Sequence, residues 1–200
     1  MNLLKVLATV TTTVVMLVSS SIAIAETNWF GGEVHNGAPA LEVTAALVKA
    51  GGGTSNFNFA TALVSMLGDE TVHAEVEKLN RQYGNENVNA FISGMTFAVN
   101  SALKHATEAG IKLPVAPANL KGAELAKTLV VAGTAPDGTW WSGYLFDKAL
   151  SNQIHILVMK DIDAKFGHAA DMTTHKILNQ AMYDVAQALG YKDVKLASLH

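Results

Sequence analysis

The chain predicts an all-α fold, a multi-helix bundle, and three observations carry that reading. Beyond residue 38, apolar residues recur at steps of three and four over most of the length. Glycine stands at the end of nearly every such run, where a helix needs a residue able to turn back. Strand-like alternation is almost missing: VTTTVV falls within the first 25 residues, and TLVVAG reads as the end of a helix.

Residues 1–25 read as an export signal, not as part of the fold. Lys5 supplies a positive start, VLATVTTTVVMLV an apolar core, and Ala23-Ile24-Ala25 the small-x-small pattern of a signal-peptidase site. The apolar run is short for a bilayer span, and a polar, glycine-containing stretch follows it directly. Cleavage near Ala25 would release a mature chain into the periplasm or the medium, with no stable membrane insertion afterwards. There is no cysteine, so neither a lipid anchor on cysteine nor a disulfide is available. A mature chain of roughly 175 residues is long enough to be held by an ordinary apolar core. The formal charge is −3, and loss of Lys5 with the signal makes it one unit more negative. Such a balance argues against a nucleic-acid partner, which requires a basic face.

In order, residues 26–37 form an N-terminal arm without periodicity. Pro39 stands where a helix can start, and Leu41, Ala45, Leu47 and Val48 carry that helix to Gly51-Gly52-Gly53. The triple glycine follows a helix rather than a strand, and no P-loop lysine comes after it, so it reads as an interhelical loop. Asn56 is the expected cap of FNFATALVSMLG, which is apolar nearly all round. Asp69 or Glu70 opens the next helix, with a stripe of Val72, Val76, Leu79 and Tyr83 up to Gly84. A long helix then runs from about Glu86 to Ala109, with Val88, Phe91, Ile92, Met95, Ala98, Val99, Ala102 and Ala106 on its inner face. Residues 111–122, with two of the four prolines, form a linker.

After the linker the pattern restarts. Leu129-Val130 with Ala132-Gly133 echoes Leu47-Val48 with Ala50-Gly51, and WWSGYLFDKAL echoes FNFATALVSML. Ile154-His155 echoes Val72-His73, and Phe166-Gly167 echoes Tyr83-Gly84. This order points to two tandem four-helix units, residues 38–110 and 123–200, packed as one body about a pseudo-twofold axis. The final stretch, residues 152–190, reads as two helices folded back on each other across a turn at Gly167.

With seven histidines and no cysteine, histidine is the first place to look for chemistry. His175 begins the inner stripe of the last helix, and His155 shares a face with Val158, Ile162 and Phe166. Folding the hairpin about residue 168 sets Asp161 opposite His175, an arrangement that could serve acid–base chemistry. His155 and His175 fall roughly 10 Å apart along the hairpin at ~1.5 Å per residue, too far to share one ion. His168, Asp171 and His175 are weak metal candidates, with Asp171 expected as the helix N-cap. Asp161-Ile162-Asp163 lacks the glycine and closing glutamate of a calcium loop. No GxSxG, HExxH or SxxK signature is present. Trp140, Trp141, Tyr144 and Phe146 form the densest aromatic cluster, a core by default or a wall for an apolar ligand.

The expected function is therefore that of an exported, non-catalytic binding or interaction protein, its partner a small molecule or a periplasmic protein. The expected ligand-binding residues are Trp140, Trp141, Tyr144, His155, Asp161 and His175. One alternative is a carrier of haem or a transition metal on its inward histidines. The other is an enzyme built on an Asp161–His175 pair.

Overall fold

A computed structural model describes residues 33–34, 38–145 and 152–197. The expected signal segment and its cleavage site, most of the N-terminal arm, Phe146 and His200 lie outside the described residues. The described chain is mostly helical, as the apolar periodicity requires. Helix α1 spans Ala40–Ala50, α2 Phe59–Leu67, α3 Asp69–Tyr83 and α4 Asn85–Glu108. After an extended connection come α5, Gly122–Gly133, a helical turn at 142–145, α6, Asn152–Phe166, and α7, His168–Ala188. Four two-residue strands accompany them. β1 (Glu33–Val34) pairs antiparallel with β2 (Ala38–Pro39), and β3 (Thr139–Trp140) pairs parallel with β4 (Lys195–Leu196).

Single glycines make the corners. Gly68, Gly84 and Gly167 each separate two helices with φ of 83–87° and ψ of 146–153°, a region essentially closed to other residues. One residue thus reverses the chain between α3 and α4, and again between α6 and α7. The two long helices end alike: Ile111 N–H donates to Ala106 at 2.8 Å, and Tyr191 N–H to Ala186 at 2.9 Å. These are the wide bonds of a Schellman closure around Gly110 and Gly190.

Helix α4 is the centre of the molecule and packs most extensively against α6 and α7. Its expected inner face is buried from Val88 to Ala106, with Ile92 half-buried. Its first half joins α1, α2, α5 and α7 in one core, where Phe59 meets Phe91 edge to face at 5.7 Å. Its second half forms a smaller core with Ile154, Val158 and Ile162 of α6. Helix α3 is held more lightly: only Leu79 of its expected stripe is fully buried.

Two local expectations are corrected. The cap of α2 is Asn58, whose side-chain oxygen accepts from Thr61 N–H at 3.0 Å, rather than Asn56. Trp140 lies in strand β3, not on a helix: it is completely buried, and its ring sits where a side chain on Gly133 would be. The helical spacing of the aromatics misleads there, because the pairing strand β4 comes from the end of the chain. Phe57 occupies the corresponding seat against Gly51.

Candidate functional site

The α6–α7 hairpin lies across α4, and the three helices enclose a pocket. Its walls are apolar: Met95 and Ala98 from α4, Val158, Met159 and Ile162 from α6, Leu178 from α7. Gly94 of α4 faces Thr174 of α7, and a Cβ there would touch it at 3.4 Å, an ordinary contact. His155, Asp171 and His175 are the ionisable groups on this wall. The two histidines therefore face one pocket despite their separation along the hairpin axis. The enclosed space is about 30 Å³, enough for one or two waters. It falls well short of the roughly 300–1,000 Å³ of sites for larger organic ligands. A haem would not enter without separating α4 from the hairpin.

His175 is half-buried one helical turn after Asp171. Its Nδ1 lies 3.0 Å from the Asp171 carbonyl and 3.2 Å from the carboxylate Oδ1. Burial pulls the His175 pKa down, but the Asp171 carboxylate and carbonyl push harder, and the net displacement is upward. The better-directed contact of Nδ1 goes to the carbonyl, which fixes the proton on Nδ1 and leaves Nε2 as the nitrogen for a ligand.

Asp171 is the unusual residue. Its side chain is 0 % exposed, and neither carboxylate oxygen has a hydrogen-bond donor. It is not the N-cap expected from the sequence. Gly167 takes that position without a side-chain bond, and Asp171 lies one turn inside α7. The glycine corner folds Asp163, at the end of α6, and His168, at the start of α7, toward it. One donor atom of each of the three lies within 4.8 Å of the others, and His168 Nδ1 is 3.4 Å from Asp163 Oδ1. In the sequence Asp163 figures only in Asp161-Ile162-Asp163, which is not a calcium loop. It is an exposed carboxylate next to Asp161, and only the corner geometry gives it company.

Asp161 does not face His175. It turns to α4, where Ser101 Oγ donates to its Oδ2 at 2.6 Å and His105 Nε2 lies 2.9 Å from the same oxygen. The Ser101 hydroxyl and then His105 hold the Asp161 carboxyl below its ordinary range. His105 Nδ1 also lies 3.3 Å from Glu108. Although serine, histidine and aspartate meet here, the order is wrong for an activated nucleophile. The carboxylate stands between Ser101 and His105, whereas the chemistry needs the imidazole there. The cluster ties α4 to α6.

Among the remaining candidates, Trp140 is core, Trp141 is exposed, and Tyr144 is half-buried beyond it. Ser142 N–H is capped by buried Asn179 of α7 at 3.1 Å, which seats the turn at 142–145. His73 is exposed on α3 beside Glu77. Comparison of the chain with models of protein families, with curated proteins and with solved structures finds no match.

Proposed function

We propose that the mature chain is an exported, non-catalytic binding protein of the periplasm, and that its ligand occupies the pocket between α4, α6 and α7. The observation that carries this reading is the convergence of His155 of α6 and His175 of α7 on one enclosed wall that is apolar apart from them, Asp171 and Thr174. The ligand class we propose is a small molecule with an apolar body and one polar group, which the closed space of about 30 Å³ admits only when the pocket widens. The apolar body packs on Met95 and Met159, whose flexible thioethers can yield to fit it, and the polar group meets imidazole nitrogen. Export rests on the pattern of residues 1–25.

We also propose that residues 38–110 and 123–200 are copies of one helical unit about a pseudo-twofold axis. Three pairs of features support the duplication: the aromatic seats at Gly51 and Gly133, the glycine corners at Gly84 and Gly167, and the matching closures at Gly110 and Gly190.

The test uses protein labelled on its methionine methyls and titrated with benzyl alcohol, benzylamine and indole. At least one probe should shift Met95 and Met159 saturably, and Gly94→Leu, which fills the pocket, should abolish the shift. Absence of saturable shifts with all three probes, or equal binding by Gly94→Leu, would overturn the reading.

A further inference from the structure

Beyond the pocket, the α6–α7 corner carries a second kind of site. We infer that Asp163, His168 and Asp171 bind one divalent transition-metal ion, and that the ion clamps the end of α6 to the start of α7.

The inference starts from Asp171. Buried carboxylates in folded proteins are nearly always paired with donors or cations, yet here both oxygens lack a donor. An ion pair with His175 engages Oδ1 alone, at 3.2 Å, and Oδ2 is still without a partner. A cation supplies that partner. The remaining donors are already gathered, with one atom each of Asp163, His168 and Asp171 within 4.8 Å of the others. The 3.4 Å between His168 Nδ1 and Asp163 Oδ1 is close to the edge of a tetrahedron drawn around an ion with bonds of about 2.1 Å.

The donor set also selects the ion. Two carboxylates and an imidazole, with no cysteine in the chain, suit Zn²⁺ and its divalent neighbours better than Cu(I), which prefers sulfur. Calcium would want six to eight oxygens and no nitrogen. Asp163 and His168 are exposed at 44 % and 74 %, so one side of the ion meets solvent and a water completes its coordination. That geometry suits an exchangeable ion whose presence stiffens the hairpin that walls the pocket.

Zinc chloride titrated calorimetrically into the chelator-treated, exported protein tests this directly. The expected result is one Zn²⁺ per chain, with affinity reduced at least tenfold in Asp163→Asn and in His168→Ala. Both residues are exposed, so both variants should keep the wild-type circular dichroism. Calcium chloride should give no comparable heat. Wild-type protein that binds no stoichiometric zinc would overturn the proposal. So would an Asp163→Asn/His168→Ala double variant with undiminished affinity, because the zinc would then sit elsewhere. The methionine-methyl titration with organic probes is unaffected by either result, so the two readings fail separately.

Discussion

Glu75 shows how one side chain can set the pH response of a helix. It projects from α3 toward Asp184 of α7, with Oε1 buried and without a hydrogen-bond donor. Asp184 already accepts from Gln180 through both oxygens, at 3.1 and 3.2 Å, and pairs with Lys78. Burial first, then the hydrogen bond and charge of Asp184, push the Glu75 pKa up from 4.5 to about 7, against the opposing pull of Lys78. The other neighbours, Phe59, Leu63 and Leu67 of α2 and Phe91 and Ile92 of α4, are apolar and offer no charge to offset it. A carboxyl whose pKa is raised in the folded state holds its proton more tightly there than in the unfolded chain. Its stabilising contribution is complete below pH 4.5 and is lost as pH climbs to about 7. Discounted for partial exposure, that loss amounts to about 1–2 kcal/mol. Urea unfolding at pH 5 and pH 8 should therefore show a larger drop for wild type than for Glu75→Gln, by about that amount. Equal drops in the two proteins would place the titration on another group. Since α3 commits only Leu79 fully to the core, the effect should centre on this helix.

The elements differ in how plainly they can be read from the residues. Helix ends were legible because Gly84, Gly110, Gly167 and Gly190 adopt positive φ, which other side chains resist. The inner face of α4 was legible because its period is long and unbroken. Strand β3 was not, since its partner β4 is remote in sequence and no local period reports a remote pairing. The Asp161 assignment failed for a related reason. Hairpin geometry considers only α6 and α7, while α4 packs against α6 at least as closely and supplies Ser101 and His105. Legibility was also partial at the aromatic seats, where a glycine reads as a helix stop but acts as space for a ring. A Cβ on Gly133 would stand 2.4 Å from Trp140, and one on Gly51 would stand 2.4 Å from Phe57. Because Trp140 is wholly buried and held by β3, it has nowhere to retreat. Gly133→Ala should cost about 1–3 kcal/mol, the usual penalty of overpacking, and lower Tm by several degrees. Gly94→Ala meets only Thr174 at 3.4 Å and gains up to about 1 kcal/mol of helix propensity. Calorimetric melting of both variants checks the contrast, and a Gly133→Ala protein as stable as wild type would refute the seat.

At the scale of the molecule, a proposed duplication does not imply two independent units. The core is not divided between residues 38–110 and 123–200. Val88, Phe91 and Met95 of α4 share one cluster with Ile177, Leu178 and Met182 of α7, and α5 joins α1 and α2 in the same cluster. The second core likewise sets Ala98, Ala102 and Ala106 of α4 against Ile154, Val158 and Ile162 of α6. Each large apolar side chain exposed by separating the halves forfeits about 1.5–3 kcal/mol. A domain's whole stability is only about 5–15 kcal/mol, so the loss of a handful of such contacts exceeds it. Residues 26–110 and 111–200, expressed as separate fragments, should each show the narrow amide dispersion of an unfolded chain. Mixed in equal amounts, they should recover native helicity and a single cooperative melt, because every contact across the junction can form without the covalent link. A fragment that melted cooperatively on its own would mean that its half carries a sufficient core, and that α4 meets α6 and α7 as one domain docking on another.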